Sequence, residues 1–151
     1  MVPTMGSLHE GHISLVNRAV KMCDEVWVSI FVNPTQFNDI NDYKKYPVDL
    51  KKDIDNIKSI NQNINIFIPN VNDIYGAKIV KDKFDFQKVD KVLEGIKRPG
   101  HFNGVGTIVK KLFEIFKPNL VFFGEKDFQQ TIIVQKIIDN YFKNIKMIAV
   151  S

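Results

Sequence analysis

The chain has 151 residues, of which 44% are hydrophobic and 25% charged. This length suits one domain, and the composition excludes disordered and collagen-like chains. No apolar run reaches the roughly 18 residues that a membrane-spanning helix needs, and no secretory leader is recognisable. The single cysteine, Cys23, cannot form an internal disulfide, so we expect a cytoplasmic protein that does not engage a membrane.

The charge balance is mildly basic, with 21 Lys and Arg against 17 Asp and Glu and a net charge of +4. A basic chain invites a nucleic-acid role, but the lysines are dispersed among acidic residues and form only short pairs such as Lys44-Lys45. We therefore predict no nucleic-acid partner. A solvated surface explains the excess, and so does a pocket for phosphates or carboxylates.

Strands and helices alternate along the chain. Short β-branched apolar runs predict strands at residues 1–3, 26–32, 64–68, 120–123 and 145–150. Apolar residues three and four apart predict helices from residue 11 onward and at 49–60, 89–96, 104–116 and 127–142. Residues 33–48 and 97–101 are predicted loops, and within the ambiguous segment 71–88, residues 78–86 fit a hairpin or an exposed excursion.

This alternation predicts a single α/β domain with a parallel sheet and helices on both faces. In such sheets, ligands bind beyond the carboxyl ends of the strands. We therefore expect functional residues in three segments that follow strands, at 3–12, 33–37 and 124–130.

The first of these segments holds two histidines, His9 and His12, in the pattern H-E-G-H. Imidazoles beside the free N–H groups of a helix start suit an anionic ligand such as a triphosphate, and Gly6 and Gly11 allow close backbone approach. A pair of surface histidines without a role is the alternative. The spacing is not that of the zinc proteases, and a metal site lacks an obvious third ligand nearby.

Three further clusters carry polar side chains. Asn33 and Gln36 are amides after the second strand, although Asn-Pro alone also fits an ordinary turn. Lys126 offers a charge for phosphate and Gln130 lies one turn further on, while Asp127 fits a helix cap or a ligand contact. The fourth cluster, R-P-G-H-F-N-G-V at 98–105, contains the third histidine.

Together these motifs resemble the pantothenate synthetase (pantoate-beta-alanine ligase) family. The resemblance covers essentially the whole chain, and its motifs are P-T-M-G-S-L-H-E-G-H at 3–12, F-V-N-P-T-Q-F at 31–37, D-Y-K-K-Y-P at 42–47, R-P-G-H-F-N-G-V at 98–105 and F-F-G-E-K-D-F-Q-Q at 122–130. It implies a Rossmann-like fold of the HIGH-motif nucleotidyltransferase superfamily. It also implies ATP and Mg²⁺ as cofactors, pantoate and β-alanine as substrates, and a homodimer.

The implied reaction is the ATP-dependent condensation of pantoate with β-alanine through a pantoyl adenylate. By resemblance, the catalytic residues are His9, His12 and Lys126. The implied ATP contacts are those three residues with Met5, Gly6, Gly124 and Asp127. The implied pantoate contacts are Pro3, Met5, Gln36, Val105, Ile108, Val109 and Gln130. Asn33 and Tyr46 are implied near the reacting groups, and Asp53 near the magnesium.

The chain also departs from the family pattern. Val48 stands where family members usually carry Arg, and Lys52-Asp53 stands where an acidic pair is common. Relative to the family, residues 1–151 correspond to the ATP- and pantoate-binding domain without the start of its first strand and without the C-terminal lid domain. We therefore expect weak binding and poor turnover from these residues alone. The alternatives are another HIGH-motif nucleotidyltransferase and a nucleotide-binding module without catalysis.

Overall fold

The computed structural model describes residues 1–151 and contains five strands and seven helices. The strands are β1 Val2–Thr4, β2 Trp27–Ile30, β3 Asn65–Phe67, β4 Leu120–Gly124 and β5 Lys146–Val150. The helices are α1 Glu10–Met22, α2 Ile40–Lys45, α3 Leu50–Ile60, α4 Val71–Tyr75, α5 Glu94–Lys97, α6 His101–Phe116 and α7 Phe128–Tyr141. None of them combines the length and apolarity that crossing a membrane requires.

All strand pairs in the sheet are parallel. β1 pairs with β2 and β2 with β3, while β4 pairs with β5. Met1 joins the two sets, because its main-chain oxygen accepts from the N–H of Phe122 and its nitrogen donates to the oxygen of Leu120. Met1 thus bonds to the residues on either side of Val121, which is the hydrogen-bond pattern of parallel strands. The spatial order is therefore β3-β2-β1-β4-β5, which confirms the predicted parallel sheet.

Helices cover both faces of this sheet, as the alternation of elements predicted. Successive strand residues point to opposite faces, and in β4 Phe122 joins the apolar cluster beneath α1 and α3. Its neighbours Val121 and Phe123 join the larger cluster beneath α6 and α7. The fully buried Phe122 links sheet and helices, and truncating such a side chain to alanine costs about 3–5 kcal/mol.

The polar stretch 33–48 is not the continuous loop that the sequence predicted. It contains a 3₁₀ turn at Pro34–Gln36 and the helix α2. The Asn33 side chain accepts from the N–H of Thr35, and that of Asp39 accepts from the N–H of Asn41. Asn and Asp favour both loops and helix caps, and here they cap short helical segments.

The ambiguous segment 71–88 begins with helix α4, closed at its start by a reciprocal cap between Asn70 and Asp73. Residues 78–86 form no paired strand, which contradicts the hairpin. Most of them are exposed, as the excursion predicted, but Phe86 is buried in the larger apolar cluster. Helix α6 begins at His101, three residues before the predicted start. The backbone of Gly100 has φ 77°, a left-handed conformation that glycine adopts without strain, and it separates α6 from α5.

Candidate active site

The two histidines of the first loop form the start of α1. His9 is the N-cap, and its Nδ1 accepts from the N–H of Gly11 at 3.0 Å. In return, the N–H of His9 donates to Nδ1 of His12 at 3.2 Å. Because both Nδ1 atoms accept hydrogen bonds, each neutral ring carries its proton on Nε2. The pair therefore offers two Nε2–H donors, with ring centroids 4.1 Å apart.

His12 is a hydrogen-bond donor rather than a cation at neutral pH. Burial, followed by the neighbouring His9, lowers the pKa of His12 from 6.5 to about 4. Asp127 raises the pKa of His12 and Lys126 lowers it, so both side chains of this third cluster lie close to the ring. The lysine thus supplies formal positive charge here, while the neutral His12 supplies a directed N–H group.

Asp53 holds the loop that precedes the histidines. Its carboxylate accepts hydrogen bonds from the main-chain N–H groups of Ser7 at 2.8 Å and Leu8 at 2.9 Å, and the residue is only 2% exposed. Both oxygens are engaged, and no group of three His, Cys, Asp or Glu side chains is arranged to hold a metal ion. These bonds give Asp53 a loop-positioning role, and its place near the magnesium stays a prediction of the resemblance.

An apolar cavity of about 200 Å³ opens beyond the carboxyl ends of β1 and β4. Its walls include the expected pantoate contacts and Tyr46, and these expected residues are Pro3, Met5, Gln36, Tyr46, Val105, Ile108, Val109 and Gln130. Phe31, Leu112 and Phe123 also line it, and none of them was a predicted site residue. Phe31 and Phe123 lie at the carboxyl ends of predicted strands. That position was the sequence feature that could have predicted their place in the cavity wall.

Two amide side chains face this apolar cavity. Gln36 is buried, and its Oε1 accepts from Nδ2 of Asn33 at 3.0 Å. No protein acceptor takes the Nε2 group of Gln36, and the Gln130 amide makes no hydrogen bond within the protein. Burial, with the Asp53 carboxylate, also raises the pKa of Tyr46. The cavity thus offers neutral polar groups on an apolar wall, a common composition for small-ligand sites.

A second cavity of about 120 Å³ lies next to the first, and we call it the polar cavity because it carries the charged and imidazole side chains. It is lined by the histidine pair and by the third cluster, including His9, Gly11, His12, Gly124, Lys126 and Asp127. The Asp127 side chain makes no capping hydrogen bond to α7, so the cap alternative fails. Met5 lines only the apolar cavity and Gly6 lines neither. Gly6 instead lies against Asp53 and Ile30 with φ 77°.

The two cavities share one wall. Residues common to both linings are Pro3, His12, Phe123, Asp127 and Gln130. A group bound in one cavity therefore lies beside a group bound in the other, and His12 borders both. A larger cavity of about 440 Å³ lies at the opposite ends of the strands, near Met1, Trp27 and Phe116, away from all of these residues.

Asn33 lies behind the apolar cavity rather than in its wall. It is 0% exposed and lines neither cavity. Its Nδ2 donates to Gln36 and to the main-chain oxygen of Gly104, and its Oδ1 accepts from Thr35. The turn interpretation of Asn-Pro is thus confirmed. Asn33 is thus one hydrogen bond away from the cavity wall, through Gln36, and its place near the reacting groups stays a prediction.

His101 likewise supports the site from behind. Its Nδ1 is 3.0 Å from the main-chain oxygen of Gln36, which can only accept, so Nδ1 carries the proton. The residue is buried, and this burial lowers its pKa. His101 lines neither cavity. The sequence indicated that His101 belongs to a functional cluster. It did not predict the hydrogen bond to Gln36, which lies 65 residues earlier in the chain.

Comparison with known proteins identifies a family for this arrangement. The family model described as pantoate-beta-alanine ligase matches residues 1–151. A pantothenate synthetase of Christiangramia forsetii is 55% identical over 92% of this chain and 49% of its own length. One of Flavobacterium psychrophilum is 52% identical over 97% of this chain and 52% of its own. The chain thus spans about half the length of these curated relatives.

Solved structures agree with this assignment. A pantoate-beta-alanine ligase of Francisella tularensis, complexed with beta-gamma ATP and beta-alanine, matches with a TM-score of 0.92 and 45% identity. The match covers 99% of this chain and 57% of that one. A pantothenate synthetase of Thermus thermophilus matches with a TM-score of 0.87 and 37% identity over 99% and 54% of the two chains. The chain therefore belongs to the pantoate-beta-alanine ligase family.

Proposed function

We propose that this chain binds ATP and pantoate side by side and serves the condensation of pantoate with β-alanine. The observation that carries the proposal is the wall that the polar and apolar cavities share. Joining a carboxylate to a phosphate requires the two groups to lie within about 3.5 Å of each other. Two adjoining cavities of different polarity suit that requirement.

The first step is the attack of a pantoate carboxylate oxygen on the α-phosphorus of ATP. A new oxygen–phosphorus bond forms, the bond between the α-phosphorus and the bridging oxygen breaks, and pyrophosphate leaves. In the second step the amine of β-alanine attacks the acyl carbon of the pantoyl adenylate. A carbon–nitrogen bond forms, the bond from the acyl carbon to the phosphate oxygen breaks, AMP leaves, and the amine proton passes to solvent. Neither step needs a covalent protein nucleophile, so positioning and charge stabilisation carry the catalysis.

We assign the phosphates to the polar cavity. Lys126 supplies positive charge, and His9 and His12 donate Nε2–H groups at the start of α1, where free main-chain N–H groups also favour anions. Gly124 and Asp127 lie on the same wall and are assigned to the adenosine. Met5 and Gly6 do not line the polar cavity. Their predicted contact with ATP depends on the loop of residues 5–8, which Asp53 holds through Ser7 and Leu8.

We assign pantoate to the apolar cavity. Its two methyl groups match Val105, Ile108 and Val109, each of which is buried in α6 against the cavity. Gln36 and Gln130 hydrogen-bond its carboxylate and hydroxyl oxygens without adding charge. Tyr46, on the same wall, lies near the side from which the second substrate would approach.

Magnesium is proposed to enter with the nucleotide. This ion commonly keeps several waters and binds to proteins through one or two carboxylates together with substrate phosphates. The engagement of both Asp53 oxygens by main-chain N–H groups supports a site built mainly from phosphate oxygens. Asp127 lines both cavities, and no other carboxylate side chain lines either of them, so we propose it as the protein carboxylate for such a complex.

The alternatives are another nucleotidyltransferase of the superfamily and a nucleotide-binding module without catalysis. Another nucleotidyltransferase would share the histidine pair, but its function does not require two amide side chains on an apolar wall. The second requires nucleotide binding without pantoate binding. The location of Gln36 and Gln130 beside the polar cavity therefore favours pantoate over either alternative.

Calorimetric titration of pantoate into the 151-residue chain, with and without a non-hydrolysable ATP analogue, tests the proposal. We expect pantoate to bind and Gln130→Ala to weaken that binding. Gln135→Ala is the matched control, because Gln135 lies on the same helix and bonds only to the exposed Asp139. Pantoate-dependent exchange of pyrophosphate into ATP then reports the chemical step. Binding of the nucleotide without any binding of pantoate would reject the proposal.

We also propose a homodimer and a cytoplasmic location. The exposed apolar side chains of Leu93, Ile96 and Phe128 support a further protein contact, and sedimentation at several concentrations tests it. Dependence on ATP and the free Cys23 support the cytoplasm, where thiols stay reduced. A monomer at all concentrations would refute the dimer.

A further inference from the structure

A tyrosine outside both cavities ends the hydrogen-bond chain that reaches Gln36. Tyr75, at the end of α4, donates its hydroxyl to Oδ1 of Asn33 and lies 2.9 Å from the hydroxyl of Thr35. From Asn33 the chain continues through Nδ2 to Oε1 of Gln36 at 3.0 Å. Tyr75 lines neither cavity, so it acts on a ligand only through this chain.

The direction of the chain is fixed by groups whose polarity is unambiguous. Nδ2 of Asn33 is 3.0 Å from the main-chain oxygen of Gly104, which can only accept. Oδ1 of the same side chain receives the main-chain N–H of Thr35. Asn33 therefore donates from its NH₂ group to Gln36, and Gln36 accepts this bond with its Oε1. The Nε2 group of Gln36 is left as the one that faces the apolar cavity.

We propose that Tyr75 is a positioning residue: its hydroxyl restrains Asn33 and thereby holds Gln36 in place as a hydrogen-bond donor toward the ligand. This inference rests on the proposed binding of pantoate in the apolar cavity and deepens it. A donor at this point requires an acceptor oxygen on the ligand, such as a carboxylate oxygen. An acceptor at this point would instead repel that oxygen.

The surroundings keep Tyr75 in the donor form. Burial raises the pKa of Tyr75 to about 12, so the phenol stays protonated throughout the neutral range. The amino group of Lys111 lies 5.4 Å from the centre of the Tyr75 ring. The phenol proton is thus available to Asn33 throughout the neutral range.

The principal test is the variant Tyr75→Phe, which removes the hydroxyl and keeps the ring. Loss of one net hydrogen bond predicts pantoate binding weaker by about three- to tenfold, with affinity for the ATP analogue unchanged. Tyr141→Phe is the matched control, since Tyr141 is exposed and its hydroxyl makes no hydrogen bond. Equal weakening of both ligands would indicate general damage and overturn the proposal.

A second measurement does not depend on any ligand. ¹⁵N relaxation of the side-chain amide groups gives the order parameter of Gln36, which does not contact Tyr75 directly. We expect this order parameter to fall in Tyr75→Phe and to stay unchanged in Tyr141→Phe. An unchanged order parameter, with or without a change in pantoate affinity, would overturn the relay.

The donor polarity has its own variant. Gln36→Glu keeps one oxygen for Asn33 and turns the second oxygen toward the cavity, so we expect pantoate binding to fall by more than about tenfold, because a charged acceptor replaces the donor. Retained pantoate binding in this variant would overturn the proposal. If the unaltered chain binds no pantoate, the proposed function fails, while the relaxation measurement still decides whether Tyr75 orders Gln36.

Discussion

The main-chain N–H of His9 donates to Nδ1 of His12 at 3.2 Å, so two expected catalytic side chains also form the cap of their own helix. This reciprocal cap, completed by the bond from Gly11 to His9, turns both Nε2–H groups away from the backbone. The start of α1 and the geometry of the phosphate site therefore depend on the same two residues. A substitution that removes either Nδ1 acceptor is expected to disturb both.

The stability of the chain should depend on His12 in the acidic range. The pKa of His12 lies near 4 in the folded protein, below its usual value of about 6.5. The unfolded chain therefore takes up a proton first, and stability present above pH 6.5 is lost as the pH falls toward 4. The full difference corresponds to at most ~3 kcal/mol, and solvent access to the ring reduces the expected loss to about 1–2 kcal/mol.

Urea unfolding at pH 7.5 and pH 4.5 measures this loss. His12→Gln is the matched variant, because Gln at the same helix position can still cap the N–H of His9 but does not titrate. It should lose less stability than the unaltered chain over the same range, which isolates His12 from His101. An identical pH dependence in the two proteins would show that His12 is not the group responsible.

Asp53 should contribute to stability through the loop before α1. Asp53→Asn sets an NH₂ group against one of the main-chain N–H groups of Ser7 and Leu8, and an unsatisfied buried group costs about 1–3 kcal/mol. Chemical denaturation should show this loss equally with and without Mg²⁺. Asp55→Asn is the control, since its pair with Lys51 is exposed and contributes little. A loss of stability seen only with Mg²⁺ present would contradict this role and indicate that Asp53 is a metal ligand.

His101 should affect pantoate without touching it. His101→Leu leaves the main-chain oxygen of Gln36 without its buried donor, which predicts a loss of about 1–3 kcal/mol in stability and weaker pantoate binding. His101→Gln retains an N–H donor and should restore part of both. Calorimetry with pantoate and with an ATP analogue measures the effect, and normal pantoate binding in the leucine variant would contradict the role.

Gly104 should not tolerate a side chain. A Cβ atom there would lie 2.2 Å from the main-chain oxygen of Thr35, so α6 would have to move away from the turn that carries Gln36. Overpacking of this kind costs about 1–3 kcal/mol. Gly124→Ala meets open space and should change stability by less than about 0.5 kcal/mol. Thermal unfolding compares the two, and equal melting temperatures would refute the close contact.

The sequence predicted the parts of this site that lie next to strand ends in the chain. His9, His12, Lys126 and Gln130 follow strands directly, and strand ends meet at one edge of a parallel sheet. For Asp53, Asn33 and His101, the sequence did not predict the hydrogen-bond partners that the structure shows. Their partners lie 45 to 71 residues away in the chain, and such pairings follow from helix packing rather than from any local pattern.

Tyr75 shows a different limit of sequence reasoning. It lies in the ambiguous segment 71–88, where neither helical nor strand spacing dominates, and its helix spans only five residues. A short helix of this kind is fixed by its cap at Asn70 and by burial of Ile74. Neither feature distinguishes it from a loop before the fold is known.

A crystal structure of the chain with a non-hydrolysable ATP analogue and pantoate tests the central claim most directly. We predict the phosphates beside His9, His12 and Lys126, and pantoate in the apolar cavity between Gln36 and Gln130. One pantoate carboxylate oxygen should lie within about 3.5 Å of the α-phosphorus. Pantoate bound elsewhere, or separated from the α-phosphorus by the shared wall, would contradict the claim that the two cavities form one reaction site.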